Sequence, residues 1–321
     1  MTTTAAIPIE LETRPAQVVE APYSLWRHVL RSRRVLIGGG ILVAILAICL
    51  VTLPWTLNPR SSFYFDLQDR SKLLQSSGWD VRSWFGYDQL GRSILARCLL
   101  GGIISLAVGA AAATISVVLG VTVGLFAGYR GGWVDSALMR VVDILYGLPY
   151  ILLVILLKIA FEDRLSRVVQ PMWANIIVLF ASIGLVSWLT MARVVRGQVL
   201  SLRGQPFIEA CRAMGLKEHR IFLLHILPNL IGPITVYATL TVPSAILQES
   251  FLSFLGVGVS APLSTWGSLA ADGVAKLSPV KIHWWMLTFP CTLLAITLLS
   301  LNFMGDGLRD VFDPRKEAAK I

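Results

Sequence analysis

The sequence predicts an all-α polytopic membrane protein with six transmembrane helices. Three observations predict it. Long apolar runs recur along the chain, charged residues make up only 15% of it, and mean hydropathy is +0.69. A soluble domain carries about 25% charged residues. A helix needs about 20 apolar residues to cross a bilayer core. Six segments meet that length: 35–53, 99–127, 137–161, 173–191, 230–247 and 284–303.

The first run is bounded by Arg33 and Arg34 before it and Pro54 after it. A polar lead of 34 residues with no A-x-A site after the run argues for a retained span, not a cleaved signal peptide. The second run is long enough to tilt or to begin at the membrane surface. Small residues recur in it at a spacing of four: Gly101, Ser105, Gly109 and Ala113, then Ala112, Ser116, Gly120, Gly124 and Gly128. Such stripes let helix backbones approach closely in lipid. They suit a helix at the centre of a bundle or at a subunit interface, and ordinary packing equally.

The third run is the weakest by charge, holding Asp143 and Lys158. Asp143 follows Arg140 by three residues, which places the two for a self-neutralising pair. An intramembrane acid is also a site candidate, and Asp143 and Tyr146 are taken as candidate substrate-path residues. Pro149, two residues after Gly147, predicts a kink, from packing or as a hinge. Trp266, Trp284 and Trp285 sit around the sixth run. They read as an interfacial aromatic belt or, for Trp266, as a substrate-path residue in a docking or gating surface.

Orientation follows from basic residues. Segments 1–34, 128–140, 192–229 and 304–321 hold 17 of the 28 Lys and Arg, so this side is expected to be cytoplasmic, with both termini on it. The net charge of +9 is accounted for by that retention and by anionic headgroups, without nucleic acid. Four scattered cysteines form no CxxC pair, and the four histidines are equally scattered. No GxxxxGK[ST], HExxH or GxSxG stretch is present, so neither a nucleotide site, a metal site nor another cofactor is expected in this chain, and nothing argues for an enzyme.

The loop between the fourth and fifth runs is the most informative. Pro206 suits a first helical turn, Glu209 lies where negative charge favours the dipole, and Gly215 suits a stop. An amphipathic stretch over 217–227 follows, and Pro228 re-aims the chain into the fifth run. This predicts a short helix, a glycine turn and an interfacial helix, forming a knob for a cytoplasmic partner or a loop lying on the surface.

Over residues 209–228 this loop resembles the EAA loop of bacterial ABC importer permeases. Glu209, Ala210, Cys211 in place of a second Ala, Gly215, Leu227 and Pro228 match, and His225 stands at an Ile position. Three more stretches resemble the dipeptide, oligopeptide and nickel branch: FGYDQLGRS at 85–93, SFLGVG at 253–258 with Trp266-Gly267, and GDGLRD at 305–310 with Asp313-Pro314. In the first, Tyr87 and Ser93 replace a Thr and an Asp. The chain is closest to the second permease subunit of peptide importers, and the likeness covers about 25–315.

The resemblance implies the type I importer permease fold. It implies a cytoplasmic segment 1–34, a first helix 35–57, and an extracytoplasmic segment 58–98 with an amphipathic helix. A five-helix core 99–303 with a coupling loop 192–229 follows, then a cytoplasmic tail 304–321. Implied partners are a homologous second permease, two cytoplasmic ATPases that bind ATP and Mg, an extracytoplasmic binding protein and the bilayer. Glu209, Ala210, Cys211, Arg212, Gly215, Leu216 and Lys217 are the implied ATPase-coupling residues. Arg212 and Lys217 read equally as partner contacts and as solvated charge. The cargo is expected to be peptide, with nickel, glutathione or peptide antibiotics as alternatives. A stand-alone channel or secondary transporter, or a membrane-embedded enzyme, is the competing class. The 161–172 loop, with Arg164 and Arg167, has no assigned role.

Overall fold

A computed structural model describes residues 32–277 and 282–312. The basic residues Arg14, Arg27 and Arg31 and the Asp313-Pro314 ending lie outside the described residues. Every regular element described is helical. In lipid a backbone must satisfy its polar groups within its own segment, and a helix does so.

Helix α1 is Arg33–Leu57, α2 is Ile94–Arg130 and α5 is Pro171–Arg203. Helix α7 runs Glu218–Phe254 and α9 runs Trp285–Phe312. These five are long and apolar enough to cross a membrane. The 37 residues of α2 extend to roughly 55 Å at 1.5 Å per residue, well beyond a hydrocarbon core of about 30 Å.

The third run is not one kinked helix. It is two, α3 (Gly132–Tyr146) and α4 (Tyr150–Leu165), bent by 93° across three residues. At 15 and 16 residues each arm reaches only about 22–24 Å, so a sixth span exists only if the pair is counted as one. The reason is local. Pro149 offers no N–H and disfavours helical geometry at Leu148, and Gly147 resists neither change.

The small-residue stripes of α2 are consumed inside the chain. A Cβ on Gly120 would lie 2.5 Å from the Met191 Cβ, and one on Gly124 2.5 Å from the Ala192 carbonyl oxygen. Both neighbours are on α5. The other row faces α7 and the segment before α8 (Trp266–Val274): Gly109 meets Val242, and Gly101 meets the Ser264 carbonyl. Helix α1 lies against α9 at Gly38 and Gly307, and leaves Leu36, Ile37, Val43 and Val51 exposed.

The segment 58–93 departs from expectation. It holds two 3-10 turns, Arg70–Lys72 and Val81–Ser83, where an amphipathic helix was expected. A buried ion network organises it instead. The Asp88 carboxylate, 1% exposed, accepts from the Leu90 and Arg92 amides and from the guanidiniums of Arg92 and Arg97; Arg92 also reaches Asp66 at 3.0 Å. Arg97 also lies 3.6 Å from Asp272 of α8. Gly91 has φ +74, and a Cβ there would sit 1.9 Å from the Asp69 carbonyl. Ser93 caps α2 by accepting from the Ala96 amide, a task an Asp also performs, which explains that departure from the family pattern.

Overpacking the α2–α5 contact should cost about 1–3 kcal/mol. Gly124→Leu is expected to lower the thermal midpoint of the detergent-solubilised protein. Gly40→Leu, where a Cβ meets no atom within 4 Å, should not. Equal midpoints for the two would sink the packing account.

Candidate functional site

The candidate site is the knob between α5 and α7. Helix α6 is Pro206–Ala213, with proline in its first turn and Glu209 beside it. It ends as Gly215 predicts. The Gly215 amide donates to the Arg212 carbonyl and the Leu216 amide to the Cys211 carbonyl, at 2.9 and 3.1 Å, with φ +77 at Gly215. That is the paired bonding of a Schellman stop, and only glycine takes its φ without strain. Helix α7 begins at once at Glu218, where Arg212 Nε donates to Glu218 Oε1 at 3.0 Å.

The stretch 217–227 is not a separate interfacial helix. It forms the first turns of α7, and Pro228 does not re-aim the chain. A π turn over Phe222–Ile226 absorbs the proline, with the Leu227 amide donating to the Phe222 carbonyl. The wider turn tolerates a residue that has no N–H to offer.

Two faces of α6 have different tasks. Ile208 and Cys211, three residues apart, turn inward to a buried cluster with Val195 and Val199 of α5 and with Ile221, Ile226 and Leu230 of α7. Cys211 is only 7% exposed, so it is a packing anchor and not a surface contact as expected. Leu216 packs against the same cluster. The outward face carries Glu209 and Ala210, with Phe207 43% and Met214 71% exposed. Phe207, Ala210 and Met214 fall at i, i+3 and i+7, one helical stripe. Gly215 and Lys217 are exposed beside it, lining a recess of about 540 Å³ with His219 and Arg220. Burial of Ile208 is worth about 1.5–3 kcal/mol, against about 0.2–1 for the half-exposed Arg212–Glu218 pair. Packing, not charge, therefore holds the knob.

Its base is tied to α2 and α3 by arginines the sequence reading passed over. Arg203 donates to the Gly128 and Tyr129 carbonyls at 2.9 and 3.0 Å. Arg196 forms a two-pronged pair with Asp135, and the Tyr129 ring meets Phe222 with centroids 4.9 Å apart. Positions 193, 196 and 203 lie along the end of α5, so their spacing opposite an acidic α3 was a usable signal.

The other candidates separate. Asp143 pairs with Arg193 of α5 at 2.7 Å, not with Arg140 as expected, and is 62% exposed. The Arg193 guanidinium lies 3.9 Å from the centroid of the Tyr146 ring. Asp143, Arg193 and Tyr146 thus form one group, and Tyr146 lines a cleft at the α3–α4 break. Trp266 is corrected: it is 0% exposed, its indole donating to the Cys98 carbonyl at 2.9 Å and its amide to Ser105 Oγ. A side chain walled in by its own chain lines no path.

The family described as binding-protein-dependent transport system inner membrane component matches residues 120–318, which includes the break, α6 and α7. The oligopeptide transport system permease protein OppC of Escherichia coli (strain K12) is 42% identical over 293 residues, covering 91% of this chain and 92% of that protein. OppC of Haemophilus influenzae is 39% identical over 91% of this chain and 89% of its own length. The dipeptide transport system permease protein DppC of Bacillus subtilis is 40% identical over 90% and 84%. Among solved structures, the inward facing MetNI methionine ABC transporter aligns with TM-score 0.52 and 21% identity, covering 68% of this chain and 97% of that one. At that identity the likeness establishes a shared fold.

The inward turn of Cys211 is directly measurable. With Cys291→Ser in the background, a maleimide should leave Cys211 unmodified in the folded chain and should modify Met214→Cys readily. Rapid reaction at Cys211 would mean that α6 is rotated.

Proposed function

The chain belongs to the family of binding-protein-dependent transport system inner membrane components, and from that premise we propose that it is one permease subunit of an ATP-driven peptide importer. It is a multi-pass protein of the inner membrane. The observation that carries the coupling role is the exposed stripe of Phe207, Ala210 and Met214 on a helix whose other face is locked into the protein. An apolar stripe held rigidly away from the bundle suits insertion into a cleft of another protein.

In this reading two cytoplasmic ATPases take the knobs of this chain and of a homologous second permease, and they bind the ATP and Mg. A binding protein on the other side delivers cargo. Peptide cargo is supported by relatives named for oligopeptide and dipeptide transport that match about nine-tenths of the chain. The knob end is cytoplasmic, which puts both termini on that side and the 58–93 segment outside. Closure of the ATPases would push α6 as a rigid body. Ile208 and Cys211 would pass that motion to α5 and α7, whose spans tilt with it.

In the complex reconstituted into vesicles, Glu209→Lys and Gly215→Pro should abolish peptide uptake while ATP hydrolysis continues. The lysine reverses the charge on the docking face. The proline cannot adopt φ +77 and deletes the Gly215 amide bond. Normal uptake in both variants would remove α6 from the coupling path.

A further inference from the structure

The break in the third span opens a cleft of about 310 Å³ between α3, α4, α5 and α7. Ligand-sized clefts begin at about 300 Å³. Tyr146 stands at one wall, its ring under Arg193, which Asp143 holds in turn. Tyr150, the first residue of α4, and Gln248 of α7 both line it.

The Tyr150 hydroxyl oxygen and Gln248 Oε1 are both buried and lack a hydrogen-bond partner among the described residues. A buried polar atom without a partner is costly, and two on residues that line one cleft mark a place where a turn of either side chain would present it to a ligand that supplies the bond. The phenol can donate and the Gln248 oxygen accepts. An amide group answers both, its C=O to the phenol and its N–H to the glutamine. None of the residues lining the cleft is charged. A neutral lining suits cargo whose constant part is an amide backbone and whose side-chain charge varies.

We propose that this cleft is a peptide-bond subsite on the translocation path, with Tyr150 and Gln248 as its two hydrogen-bonding groups. The proposal rests on the peptide cargo inferred above. The 93° bend builds it, because a straight helix would fill the space where the two arms part. Asp143 acts here only as a positioning residue, through Arg193 on Tyr146.

The test is vesicle uptake of trialanine against trialanine N-methylated at its central amide, in complexes matched for subunit content. Selection by the binding protein is common to all complexes, so the ratio between variants isolates the permease. The unmodified peptide should be preferred in the wild type, and Gln248→Leu should lower that preference about five- to tenfold, the loss of one hydrogen bond. Tyr150→Phe should slow both peptides alike and leave the ratio unchanged; it reads the site independently if the first variant assembles poorly. An unchanged preference in Gln248→Leu, with full uptake in Tyr150→Phe, would overturn the subsite and leave the importer standing. No trialanine uptake by the wild-type complex would overturn both.

Discussion

The close packing of α2 on α5 is the contact on which the rest of this structure depends. Between helices in lipid the hydrophobic effect supplies little drive, because lipid tails are as apolar as leucine. Association then rests on how near two backbones can come. Gly120, Gly124 and Gly128 present no side chain to Met191, Ala192, Val195 and Val199, so the two longest-buried helices lie in direct contact. Helices α1, α4 and α7 each pack on a member of this pair and α9 packs on α1 and α7, so the small-residue stripe is spent inside one chain.

That contact also aims the knob. Past the packed region, α5 continues to Arg203 and is fastened to the end of α2 through Arg203 and to α3 through Arg196. Helix α6 therefore departs from a fixed base. The apolar cluster of Ile208, Cys211, Ile221 and Ile226 closes it against α7. One face of α6 is held by packing while the other offers Phe207 and Met214 to solvent.

At the opposite end, irregular backbone is confined to places where protein supplies its partners, as the bilayer requires. Lys158, near the end of an apolar run, is buried and donates to the Val257 and Gly258 carbonyls that follow α7. Asn175 joins the same corner, donating to Glu162 and accepting from the Ser260 amide. The lysine that weakens the third run as a span thus staples a turn. Asp88 does the same for the 58–93 segment, satisfied by two arginines and two amides.

The sequence by itself determined the class of fold, five of the six spans, the start and stop of α6 and the kinship of the coupling loop. These are local properties: apolar run length, a proline at a first turn, a glycine at a left-handed stop, and motif spacing within twenty residues. Tertiary structure alone decided the rest. The sequence marked Gly147 and Pro149 as a kink, while the 93° angle and the cleft it shares with α5 and α7 are visible only in the fold. Spacing paired Asp143 with Arg140, three residues away, while folding brought in Arg193 from fifty residues on, with a guanidinium better placed over Tyr146. Trp266 and Cys211 belong to motifs that read as surface, yet both are interior. A motif names the residues but not which face of a helix meets its own chain, and that face is set by what the neighbouring helices leave uncovered.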